Sequence, residues 1–310
     1  MPDPSSLSRR RFLGRAAAAG GAALSAGAGR SGAMRPLERP PHGPLKLSLA
    51  AYSYRAYLDL DARPRSMDIF GFVRACAEMG LSATEPTSYY FTEEDQRPDR
   101  LLELRRQAHL LGLTISGTAV RNDFCLPSGP ERAAQIAHVQ GWIDRTALLG
   151  ASTLRIFAGE VPPGATEVEA RRWCVECIEE ACRHAATRGV MLALENHGGI
   201  TATADGILAI VDAVTSPWFG VNLDTGNFHG PDPYAELARV APYAVVVQVK
   251  TEVSPSGAAR TETDFPRLLR LLRAANYRGF IALEYEASEE PRVAVPRYIR
   301  LLQDLLAAGG

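Results

Sequence analysis

Between Leu45 and the C-terminus the chain repeats one unit eight times: a short apolar run rich in β-branched residues, then a longer amphipathic stretch. The runs are LKLSLAAYS (45–53), LSATEP (81–86), LTISGTAV (113–120), STLRIFA (152–158), VMLALEN (190–196), FGVNLD (219–224), AVVVQVK (244–250) and FIALEYE (280–286). Short strand-like runs alternating with helical stretches build a parallel sheet with crossover helices. Glycine stands ahead of several runs, in Met79-Gly80, Leu149-Gly150, Arg188-Gly189 and Arg278-Gly279, where a helix C-cap or turn needs it. Eight such units in a 310-residue chain fit a closed (β/α)8 TIM barrel, a single α/β domain over 45–310. An open doubly wound sheet usually has fewer strands. Gly198-Gly199 lacks the GxGxxG spacing of a dinucleotide loop.

Ahead of the barrel, SRRRFL (8–13) sets paired arginines before Phe12 and Leu13, and a mildly apolar Ala/Gly run follows, with small residues at Ala26 to Ala28. Such a pattern predicts a twin-arginine signal peptide over 1–28 and a periplasmic or otherwise exported destination. Residues 29–44, rich in Gly, Pro and Arg, read as a linker. Nothing else approaches the roughly 18 uninterrupted apolar residues of a membrane span, so no stable membrane insertion is expected after signal removal. A formal net charge of -1 gives no field to concentrate nucleic acid. Of five cysteines, Cys174, Cys177 and Cys182 lie in one helical stretch. A zinc site is conceivable there, but with Ile178, Ala181 and Ala185 they follow the three-and-four spacing of a buried helix face, which favours packing.

In such a barrel the chemistry sits at the C-terminal ends of the strands. Side chains two apart on a strand share a face, which pairs Glu195 with His197, Asn222 with Asp224, Gln248 with Lys250 and Glu284 with Glu286. A single carboxylate is usually solvated or ion-paired. Acids ending consecutive apolar strands, however, repel one another unless a cation stands between them. Glu195, Asp224, Gln248 and Glu284 form an all-oxygen set that suits one divalent metal, Mn2+ first, with Mg2+ or Co2+ as alternatives. Three acids exceed a dication by one charge, and Lys250 and Arg155 are the cations placed to balance it or to bind substrate, as against forming structural ion pairs.

At these residues the chain resembles the xylose isomerase-like barrel family of sugar isomerases and epimerases. The resemblance rests on LENHGG (194–199), VNLDTGNF (221–228), QVKTE (248–252) and NYRGFIALEYE (276–286). It implies that Glu195, Asp224, Gln248 and Glu284 hold the metal, and that Glu195 and Glu284 also serve as the acid/base pair. Many ketose 3-epimerases of the family carry histidine at the positions of Gln248 and Asn227, whereas glutamine at the third ligand resembles the hydroxypyruvate isomerase branch. Substrate identity therefore does not transfer.

The chemistry implied is proton removal beside a carbonyl. A metal chelating the carbonyl and a neighbouring hydroxyl stabilises an enediolate, and carboxylates on opposite walls exchange the protons. Return of the proton to the other face gives epimerisation; return to the adjacent carbon gives isomerisation. His197, Lys250, Arg155, Asn227, His229 and Glu85 are the candidate substrate-binding residues, with Arg121 a weaker one. The partner expected is a small sugar; homo-oligomerisation is left open, because the run Tyr89, Tyr90 and Phe91 suits a substrate wall and a dimer contact alike. The runner-up is a lyase or dehydratase acting on a keto-sugar such as a 3-keto-glycoside or an inosose, and a non-catalytic sugar-binding barrel stands third. An abasic-site endonuclease needs a multi-metal, histidine-rich centre, which six histidines, four of them in linker or helical segments, do not supply.

Overall fold

The repeated pattern becomes a ring of parallel strands in the computed structural model, which describes residues 34–41, 43–62 and 65–308; the signal segment 1–28 and linker residues 29–33 and 42 lie outside the described residues. In chain order the strands are β1 (Leu45–Leu49), β2 (Ala83–Thr84), β3 (Thr114–Ile115), β4 (Thr118–Ala119), β5 (Thr153–Ile156), β6 (Met191–Glu195), β7 (Phe219–Asp224), β8 (Ala244–Val249), a two-strand excursion of β9 (Glu252–Val253) and β10 (Thr261–Glu262), and β11 (Gly279–Leu283). Seven of them form one sheet in the order β1-β11-β8-β7-β6-β5-β4, while β2 pairs with β3 alone. Parallel bridges Ala50 to Glu85 and Thr87 to Ala119 join that pair to β1 and β4, completing the (β/α)8 ring.

The expected strand 113–120 is split. A Cβ at Gly117 would lie 2.5 Å from Thr153 Oγ1, so the Thr153 side chain on β5 fills the space that a side chain there would take. The remaining pieces, β3 and β4, are two residues each.

Nine α-helices cover the described residues: α1 (Arg55–Leu58), α2 (Ile69–Glu78), α3 (Pro98–Leu110), α4 (Pro130–Leu149), α5 (Glu167–Arg188), α6 (Ala204–Val211), α7 (Pro233–Val240), α8 (Phe265–Ala274) and α9 (Pro291–Ala308). The longest, α5, shows how sequence sets an element. Thr166 and Glu169 form a reciprocal capping box at its start, which satisfies amide donors that no helix turn can reach. Gly189 ends it at φ 68°, a left-handed conformation that suits glycine. Its buried face is Ala170, Cys174, Cys177, Ile178, Ala181, Cys182 and Ala185, so the cysteines are packing residues; all five in the chain are free and buried. Gly80 and Gly150 also take positive φ at helix ends. Gly279 departs from expectation: it opens β11, and Asn276, at φ 53°, makes the left-handed turn after α8. No helix among the described residues is long and apolar enough to cross a membrane.

Candidate active site

Strands β6, β7, β8 and β11 are neighbours in the sheet, so residues ending them meet at one place. Register brings Glu195 opposite Asn222, and Asp224 opposite Gln248, while Glu284 follows directly on β11 with its N–H donating to the carbonyl of Val249. All four predicted ligands are buried: Glu195 at 3% exposure, Asp224 at 0%, Gln248 at 1% and Glu284 at 6%. Two of the four line a cavity of about 890 Å3. Glu195 and Glu284 face it with Arg155, Phe157 and His197, and Asp224 and Gln248 stand behind them.

Two cations organise the acids. Lys250 Nζ lies 2.7 Å from Glu284 Oε2, 2.7 Å from Glu286 Oε1 and 3.3 Å from Asp224 Oδ2. Arg155 Nε lies 2.9 Å from Glu195 Oε2, out of line for a hydrogen bond but within ion-pair reach. Its other nitrogens donate to the carbonyl of Val120 and the hydroxyl of Tyr89, and its plane covers the Phe157 ring at 3.9 Å. Asn227 Nδ2 donates to Glu195 Oε1 at 3.0 Å. Asn196 locks β6 to β7 by donating to the carbonyl of Asp224 and accepting from its N–H.

The carboxyls are pushed apart. Burial drives Glu195 well above the usual carboxylate range, against the pull of Arg155, and the charges of Asp224 and Glu284 add to the rise. Burial also raises Asp224, to about 7, even with Lys250 beside it. For Glu284 burial pushes up, yet the hydrogen-bonded ammonium of Lys250 outweighs it and the net direction is down. Unequal carboxyls on one cavity are the arrangement that separates acid from base.

Of the remaining candidates, His197 faces the cavity with its ring 4.2 Å from that of Phe157; burial and the neighbouring Arg155 hold its pKa down. Glu85 lies deeper: its buried carboxylate, pushed by burial up to about 7, accepts from Gln248 Nε2 at 2.7 Å while Gln248 Oε1 accepts from Asn222 Nδ2 at 2.7 Å. Glu85 thus orients Gln248 and does not line the cavity. His229 is set apart as well, hydrogen-bonded to the carbonyl of Ser254 beside a smaller cavity of about 200 Å3 that Asn227 and Lys250 also line. Tyr89 lines the main cavity, whereas Tyr90 and Phe91 are buried. Sequence reasoning missed Tyr52 on the short 3-10 turn Ala51–Tyr54 after β1, and Gln135 and His138 on α4, because one polar residue on a loop or helix carries no periodic signal.

The donor set fits a divalent cation. Glu195, Asp224, Glu284 and Glu286 face only Lys250 and Arg155, an excess of two negative charges when all are ionised, and Asp224 Oδ2 is a buried oxygen with no hydrogen-bond partner. As the side chains stand, no three of His, Cys, Asp or Glu among the described residues converge closely enough to hold a metal. The carboxylates are turned to their two cations instead.

Residues 73–305 match the sequence profile of the xylose isomerase-like TIM barrel. The chain belongs to that family. A human protein named "Putative hydroxypyruvate isomerase" is 26% identical over 239 residues, 69% of this chain and 82% of the relative. Among solved structures, the IOLI protein with a bound zinc atom superposes with a TM-score of 0.68 at 17% identity, over 84% of this chain and 96% of its own. The 3-keto-D-glucoside 4-epimerase YcjR of E. coli gives 0.63 at 13%, over 85% and 100%. These structural likenesses show the fold.

Proposed function

We propose that this chain is a divalent-metal-dependent isomerase or epimerase of a sugar or sugar-like ketone, with Glu195 and Glu284 as the acid/base pair. The observation that carries the reading is two buried carboxylates from separate barrel strands facing one cavity, each held by its own cation, Arg155 and Lys250. The family, the hydroxypyruvate isomerase relative and the epimerase neighbour support it. Glu195, Asp224, Gln248 and Glu284 would hold the metal. When bound, the cation supplies Lewis-acid polarisation of the substrate carbonyl.

The chain's own residues supply the rest. Glu284, held down beside Lys250, is the base that takes the proton from the carbon next to the carbonyl, and Glu195, pushed up by burial, is the acid that returns one from the other wall. Asn227 and Arg155 fix the Glu195 carboxyl in its orientation. His197 presents an uncharged imidazole to substrate hydroxyls, and Phe157 beneath it closes that wall to water. Export by the twin-arginine route is part of the proposal, supported by SRRRFL.

Proton NMR in D2O, with Mn2+-loaded protein and a panel of ketoses, hydroxypyruvate and 3-keto-glycosides, tests the reading. Deuterium wash-in beside the carbonyl, reduced at least a hundredfold in Glu284→Gln, is expected. Absence of exchange with every substrate sinks it, and an ultraviolet-absorbing unsaturated product transfers the assignment to a lyase.

A further inference from the structure

The cavity is far larger than the chemistry at Glu195 and Glu284 requires. Taking about 30 Å3 per heavy atom, the share of a water molecule in the liquid, a seven-atom acid such as hydroxypyruvate fills roughly 200 Å3. The cavity holds about 890 Å3, near the top of the range for pockets that enclose ligands of several dozen atoms. Its surplus lies outward of Arg155 and Phe157, between the loop after β4, the start of α4 and the loop after β5.

That outer half is lined by polar side chains, Asp123 and Gln135 half-buried and Arg121, His138 and Glu160 exposed. Gln135 Oε1 accepts from the N–H of Asp123 at 2.9 Å, and its Nε2 has no hydrogen-bond partner among the described residues. Asp123 Oδ1 accepts from the N–H of Cys125, and its second oxygen is free. His138 and Glu160 line the cavity with no hydrogen bond or ion pair to another described residue. Arg121 lies over the Tyr89 ring at 5.3 Å, beside the inner Arg155. Burial, with Arg145 nearby, holds His138 below its ordinary pKa, so it is a neutral donor and acceptor at pH 7. The pocket therefore offers donors, acceptors and an aromatic face together.

Charge decides what such a set receives. Asp123 and Glu160 outnumber Arg121, so a phosphate or carboxylate would meet a net negative wall. Hydroxyl groups, each both donor and acceptor, suit the mixture, and the face of a sugar ring suits Tyr89. We propose that Asp123, Gln135, His138 and Glu160, with Arg121 on Tyr89, form a second subsite for an uncharged sugar ring, so that the substrate is a glycoside whose reacting ring lies at Glu195 and Glu284. The orientation rests on the function proposed above; the subsite itself rests on the cavity.

Calorimetric titration of the full chain with glucose, glucose 6-phosphate, maltose, cellobiose and lactose tests it. At least one disaccharide binds tenfold or more tighter than glucose, and glucose 6-phosphate binds no tighter than glucose. In a Gln135→Ala/His138→Ala variant whose melting temperature stays within about two degrees of the parent, the disaccharide-to-glucose ratio collapses toward one. Equal affinity for one and two rings, no binding of any of the five, tightest binding by the phosphate, or a ratio unchanged in the variant overturns the subsite. Discrimination without deuterium exchange would instead refute the proposed reaction and leave the subsite standing.

Discussion

Lys250→Met replaces the one ammonium that touches both Asp224 and Glu284. Its side chain is 9% exposed and those of its partners 0% and 8%, so solvent does little to screen the two contacts; Glu286, at 43%, counts for less. Removing one partner of a buried pair leaves the other uncompensated and typically costs about 3–5 kcal/mol. For a chain of this size each kcal/mol moves the melting temperature by roughly 2 °C, so the metal-free variant melts about 6–10 °C lower at pH 8. The pH dependence gives a second handle. In the parent, Glu284 is held down, so its contribution is present above its unfolded value and disappears only as pH falls through the depressed one. Without Lys250 both carboxyls rise, the native state takes up protons, and the variant regains stability as pH falls from 8 toward 5. Thermal melts by circular dichroism across that range measure both effects. A variant melting within two degrees of the parent at pH 8, or a gap that widens on acidification, refutes the argument.

Glu85→Gln isolates the carboxyl beneath Gln248. Because its folded value is raised to about 7 from an ordinary 4.5, the native state keeps a proton that the unfolded chain releases, and the parent loses about 3 kcal/mol from this group as pH rises from 4.5 to 7. The variant should gain on the parent across that window in denaturant titrations; a pH-independent difference rejects the assignment. Gly199→Ala sets a Cβ 2.2 Å from the carbonyl oxygen of Gly159 at φ 50°, and a loss of about 3 kcal/mol is expected, read as a lower urea midpoint. A midpoint unchanged from the parent would show that the two loops separate freely. Arg9→Lys with Arg10→Lys should abolish the periplasmic pool in cell fractionation, and an undiminished pool removes the export proposal.

The barrel was legible because both of its signals are periodic. Strand residues repeat by two and helix residues by three and four, which placed β5 to β8 and the buried cysteine face of α5 within a residue or two of where they stand. Parity also predicted correctly that Glu195 and His197 share the cavity and that Lys250 reaches the acids. What escaped was set by tertiary approach. The break at Gly117 depends on Thr153 of the neighbouring strand, and the β9–β10 hairpin is too short to carry a pattern. Gln135 and His138 sit three apart on α4, a spacing that reads as an ordinary solvated helix face until the loop after β4 folds beside it. Glu85 was read as a strand-end contact for substrate because sequence gives parity but not depth in the barrel.

The ring of strands is unequally knit. Residues Met191 to Glu195, Phe219 to Asp224, Ala244 to Val249 and Gly279 to Leu283 run five or six residues each in one sheet, and Glu195, Asp224, Gln248 and Glu284 stand at their C-terminal ends; the opposite arc, β2 to β4, is built from two-residue pieces stitched by single bridges. Mutation meets these arcs differently. Insertions and substitutions in the loosely laddered arc disturb few backbone hydrogen bonds, while the reactive carboxylates stay anchored across the ring. A lineage can thus drift in what it accepts while conserving what it does, and a library confined to the segments following β2 and β4, which supply Tyr89 and Arg121 to Asp123 to the cavity, is the economical place to retrain this scaffold.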